Sequence, residues 1–173
     1  NSLQNQFRSY KDLGDNAIAR LKETDFDYQP EPGSNSIATI IRHLHGNMKS
    51  RFTNFLTEDG EKPWRERDKE FLTPAGQLRA VDIIGLWEEG WACVFNTISQ
   101  LEPAHLLFTV TIRHEPHQAI DALNRQLAHY ASHVGQIIYL AKMIQGKDWV
   151  SLSIPIGESM QFNEKMSRNY KRD

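Results

Sequence analysis

The sequence predicts an all-α fold, a four-helix bundle with long connections and a short extended segment before the last long helix. Four stretches place apolar side chains at steps of three and four, the period of one helix face, whereas strand-like composition is confined to a single short run. Hydrophobic residues make up 39% of 173, enough for one core in a single domain spanning 1–173.

The first helix covers residues 3–22, with Leu3, Phe7, Tyr10, Leu13, Ala17, Ile18 and Leu21 on one side. Residues 25–36 interrupt it, since Pro30 and Pro32 lack backbone donors and Gly33 tolerates positive φ. Asn35 or Ser36 can cap a second helix, whose buried row reads Ile37, Ile40, Ile41, Leu44, Met48, Phe52 and Phe55 and ends near Asp59-Gly60. Residues 61–77 are mostly charged or turn-forming but contain Trp64 and Phe71, which predicts an ordered surface excursion. A third helix over 80–101 aligns Ile84, Trp87, Trp91, Val94, Phe95, Ile98 and Leu101, and Glu102-Pro103 stops it.

The run 106–112 is β-branched and aromatic, so it is expected to lie extended against the bundle without forming a sheet. The fourth helix begins near Pro116 and runs to Gly146. At ~1.5 Å per residue it spans roughly 45 Å, the length of a whole bundle. An extended strap over about 149–162 and a charged tail over 163–173 complete the chain.

Composition narrows the function. A net charge of −2 without a basic stripe gives no footprint for nucleic acid or an anionic membrane surface. No apolar run approaches the 18 or so residues of a membrane span, and the first twenty residues show no signal-peptide core. Cys93 is the single cysteine, so no internal disulfide forms. A cytoplasmic protein is expected.

Seven histidines make metal the first chemical question. His129 and His133 stand at i and i+4, which puts two imidazoles on one helix face. They lie off the main row of Leu123, Leu127, Tyr130, Val134, Ile138 and Ala141, on a second covered stripe that continues through Ile137, Leu140 and Ile144. A third ligand must come from elsewhere. His43 and His45 point about 200° apart on the helix wheel, so at most one can face the pair. Periodicity sets His45 slightly nearer the apolar row and leaves the choice open. Glu102 and His105 have the ExxH spacing of a di-iron motif, but Pro103 breaks the helix that would present it. His114 and His117 flank Pro116, where exposed or supporting roles are expected, and Cys93 reads as a small core residue. Trp87 and Trp91 read as core packing or as a pocket wall, and Asn47, Arg51 and Gln136 as possible supporting donors.

Three segments together resemble the DinB/YfiT superfamily of metal-binding four-helix bundles: Ser36-Ile37 opening a helix, Ile41-Arg42-His43-Leu44 within it, and His129-Tyr130-Ala131-Ser132-His133-Val134-Gly135-Gln136-Ile137. The segments Gly46-Asn47-Met48, Asp59-Gly60-Glu61-Lys62-Pro63-Trp64-Arg65, Leu86-Trp87-Glu88-Glu89-Gly90-Trp91 and Ser151-Leu152-Ser153-Ile154-Pro155 resemble an uncharacterised bacterial subfamily within it. The resemblance implies a divalent-metal site, zinc or nickel, made by His43, His129 and His133 with water completing the shell. Characterised members of the superfamily include S-transferases that use a low-molecular-weight thiol such as bacillithiol and a mycothiol-dependent isomerase.

The expected function is therefore metal-dependent, thiol S-transferase-like chemistry on a small-molecule substrate. A hydrolase that activates water on the same metal and a non-enzymatic metal-binding stress or scaffold protein are the alternatives. The hydrolase lacks an obvious base, since no acidic residue lies within four positions of His43, His129 or His133. The second stripe of the last helix, and the resemblance, also predict a homodimer. Alternatively, the excursion and the strap cover that stripe.

Overall fold

The computed structural model describes residues 2–72 and 78–169. It is a helical bundle built on α1 (Ser2–Ile18), α2 (Ile37–Phe52), α4 (Ala80–Ser99) and α5 (Ala119–Gln145), with short α3 (Lys69–Leu72) in the connection between α2 and α4. Helix α2 packs most extensively on α4, and α1 on α5. Each main helix sends an aromatic residue to a common core, where Phe7, Phe52, Trp91 and Tyr130 are all almost fully buried. Phe7 lies 6.2 Å from Phe52, 6.4 Å from Trp91 and 6.0 Å from Tyr130 between ring centroids, in edge-on or tilted contacts.

Ser36 is the cap of α2, its hydroxyl accepting from Thr39 N–H at 3.2 Å. Every residue of the predicted α2 row is buried. The helix nevertheless ends at Phe52, short of the expected Asp59-Gly60. Thr53 is extended and Asn54 takes a positive φ of 51°, so the chain turns there. Phe55 keeps its buried place from within the turn by stacking on Phe52 at 5.8 Å, which is why the apolar row reads on past the helix end. Helix α1 likewise stops at Ile18 rather than residue 22.

The run 106–112 is not a lone extended segment. Its second half, β1 (Thr109–Ile112), pairs antiparallel with β2 (Glu115–Gln118), with Thr109 opposite Gln118 and Ile112 opposite Glu115. Arg113 and His114 form the two-residue turn at φ 54° and 66°. Asp59 supports this glycine-free turn by accepting from the N–H groups of Arg113 and His114, both at 2.8 Å. Pro116 therefore sits in a strand, and α5 starts at Ala119. It ends as expected at Gly146, whose φ is 55°.

Described excursion residues reach Leu72, and 73–77 lie outside the described residues. Phe71 is half-buried, but Trp64 is exposed, against expectation. The strap anchors by Trp149 and Leu152, which pack on the core, while Val150, Ile154 and Ile156 face outward. The end of the expected extended strap, 159–162, and the expected tail are instead helical as α6 (Ser159–Asn169), with no buried residue among those described, and 170–173 lie outside them. Among the described residues, no helix is long and apolar enough to cross a membrane.

Candidate metal centre

A buried hydrogen bond joins helices α2 and α5, Tyr130 O–H donating to Asn47 Oδ1 at 3.0 Å. Asn47 is one turn beyond His43, and Tyr130 follows His129, so this bond sets the two histidine faces opposite each other. The ligand nitrogens of His43, His129 and His133 then all fall within 4.8 Å of one another and could hold a metal ion. His43 Nε2 lies 3.3 Å from His129 Nε2, and His133 Nε2 lies 3.0 Å from it. Imidazole nitrogens held at about 2.0–2.1 Å in a tetrahedral zinc shell stand roughly 3.3 Å apart, so the spacing fits the group.

The opposite edges of two rings are already engaged. His43 Nδ1 donates to Glu70 Oε2 at 2.9 Å, and His133 Nδ1 donates to Gln136 Oε1 at 3.0 Å. Since a carboxylate only accepts, His43 carries a proton on Nδ1, and in the neutral ring that leaves Nε2 as a lone pair. The Gln136 oxygen imposes the same state on His133. Two lone pairs thus point toward His129 Nε2, and only a proton there or a shared cation reconciles them.

Electrostatics keep His129 and His133 neutral. Burial, then the neighbouring His133 and His43, then Arg65 and Arg51, push His129 down to about 3. Burial also lowers His133, more than its bond to Gln136 raises it. Neutral imidazole is the ligand form.

Glu70 was outside the reach of sequence reasoning. It lies 27 residues from His43 on α3, in a connection without apolar period. Arg65 grips it with both arms, Nε to Oε1 at 2.8 Å and Nη2 to Oε2 at 3.0 Å. Burial alone would raise the Glu70 carboxyl, but the bonds from His43 and Arg65 outweigh it and hold the group below its ordinary range. Phe71 covers the His43 ring at 5.0 Å.

The other candidates are elsewhere. His45 turns toward α4, where its Nε2 meets Glu89 at 3.1 Å. His105 Nδ1 accepts from Glu102 N–H within a 3-10 turn over Pro103–Leu107. His114 is at the hairpin tip, and His117 is on β2 beside Glu115 at 3.5 Å. Cys93 is half-buried, 3.9 Å from Thr53 Oγ1. Trp87 and Trp91 are both core residues. Of the supporting donors, Gln136 reaches a histidine, Asn47 holds Tyr130, and Arg51 bonds the Gly60 carbonyl and Glu61.

Gln136 also lines an open cleft of about 650 Å³ between the 30–35 loop and α5, with Ile40 and Ser132 in its lining. Ile40 and Gln136 are each one turn from a histidine of the cluster. The cleft lining carries no charged side chain.

No curated protein and no solved structure shows a significant similarity to this chain. The sequence profile of the family described as "Protein of unknown function (DUF1572)" matches residues 1–158, which include the three histidines, Arg65, Glu70 and Gln136, and the chain belongs to that family.

Proposed function

We propose that the chain is a DinB/YfiT-like metalloprotein in which His43, His129 and His133 hold zinc or nickel, and that it transfers a low-molecular-weight thiol such as bacillithiol to a small electrophile. The observation that carries this reading is the convergence of three Nε2 atoms while two of the Nδ1 atoms are engaged from behind. A divalent cation held there lowers the pKa of a bound thiol, so that the thiolate prevails at neutral pH. The chain's own residues supply the rest. Imidazole ligands bring no negative charge, so a divalent cation held by them would keep its positive field, while Arg65 and Arg51 are paired to Glu70 and Glu61. An anionic sulfur is favoured in that field. Gln136 holds His133 from the cleft wall, and the uncharged cleft suits a neutral electrophile.

The thiol reading is preferred to water activation because Glu70 spends both oxygens on His43 and Arg65. It also belongs in a reducing cytoplasm, where such thiols persist. The test is cobalt substitution followed by thiol titration. A change in the visible spectrum is expected, and a spectrum indifferent to saturating thiol overturns the transferase in favour of a closed scaffold site.

The second stripe of α5 is already covered within the subunit, Ile137 and Leu140 being buried and Ile144 packed on the core, so the homodimer expected from it now rests on the resemblance and on the exposed Tyr139 and Met143 of α5. Sedimentation at micromolar concentration should show a dimer, and a monomer throughout the range would refute it.

A further inference from the structure

Glu70 reaches His43 because α2 has a gap at that point. Gly46 is one turn from His43, and a Cβ there would overlap Glu70 Oε1 and stand 2.9 Å from its Cδ. A side chain at 46 would therefore force the Glu70 carboxylate to shift from its present place. The Arg65 side chain that grips Glu70 is only 2% exposed, and that of Glu70 is 11%. Arg67 lies over the Phe71 ring at 5.2 Å, and Phe71 over His43. The segment 65–71 thus meets the ring of one proposed ligand through both Glu70 and Phe71.

We infer that Glu70 is a positioning residue for the metal centre and that its segment is a latch coupled to metal binding. By fixing the proton on His43 Nδ1, Glu70 keeps Nε2 free and aimed at the shared point, and its charge makes that nitrogen a stronger donor. Coupling is reciprocal: whatever factor the docked latch adds to metal affinity, bound metal adds to latch docking. This inference rests on the metal reading above, and it adds that a connection remote in sequence controls metal affinity and responds to metal.

The test uses the full chain with zinc and with nickel, each alone. Glu70→Gln keeps an oxygen for Arg65 but removes the charge. Gly46→Ala touches no charge and no ligand, and it favours the helix while displacing the carboxylate. Both variants should bind metal ten- to a hundredfold more weakly. In the metal-free wild type, nitrogen NMR should show His43 protonated on Nδ1, and in Gly46→Ala that preference should be lost. Zinc should slow amide exchange over 65–72 in the wild type and do so far less in Gly46→Ala. Unchanged metal affinity in both variants, or exchange over 65–72 indifferent to metal that demonstrably binds, overturns the latch and leaves the metal reading standing. A wild type that binds neither metal overturns both.

Discussion

Helix α2 carries two histidines separated by one residue, and each meets a glutamate, yet the two sides differ in kind. His43 is 5% exposed and its carboxylate partner is gripped by a buried arginine. His45 meets Glu89, whose side chain is 55% exposed and is shared with Lys49. Burial, not the identity of the pair, separates a built site from a surface contact. A desolvated carboxylate needs its partners, while a hydrated one loses little without them.

The largest effect that can test this contrast is on metal content. His43→Ala, His129→Ala and His133→Ala should each lose bound metal, while His45→Ala keeps the wild-type stoichiometry. Elemental analysis of folded protein decides it, and the reverse outcome for His43 and His45 would move the site to the other side of α2.

A smaller effect is expected in the metal-free protein. Arg65→Met leaves Glu70 buried with His43 as its remaining partner, and breaking a buried pair in this way costs about 3 kcal/mol or more. Lys49→Met on the other side should cost about 1 kcal/mol or less. Urea unfolding compares them, and equal losses would show that the α3 side is as hydrated as the α4 side.

How much of this was legible in the sequence follows the same division. The α2 row, the Ser36 cap and the i, i+4 histidines repeat at helical intervals, so local pattern exposes them. Facing directions excluded a joint role for His43 and His45, although choosing between them needed the resemblance. Glu70 and Arg65 obey no period. Their places depend on the chain folding back over Gly46, a contact that only the assembled bundle specifies. The hairpin was missed because Arg113 and His114 carry none of the usual turn residues, and their conformation is supported by Asp59 from another segment. The overextended α2 has the same origin, since Phe55 stays buried after the helix has ended.

The smallest effect concerns pH, and it sharpens the contrast without altering any residue of the α4 side. In the unfolded chain a histidine titrates near 6.5, whereas folding lowers His133 and takes His129 down to about 3. Between those values the unfolded chain binds more protons than the folded one. The stability these rings contribute is therefore full above about pH 6.5 and is lost as pH falls toward 3. Glu70, also lowered by folding, adds a second loss that begins below its ordinary range, near pH 4.5. Metal-free protein should accordingly melt at lower temperature at pH 5 than at pH 7, and His129→Gln should flatten that dependence because the amide does not titrate. Saturating zinc should steepen it, since protons then compete with metal for the same three nitrogens. A melting temperature that is constant from pH 7 to 5 in the metal-free wild type would mean that the cluster is open to water, and the distinction between the two sides of α2 would then rest on the Arg65–Glu70 pair.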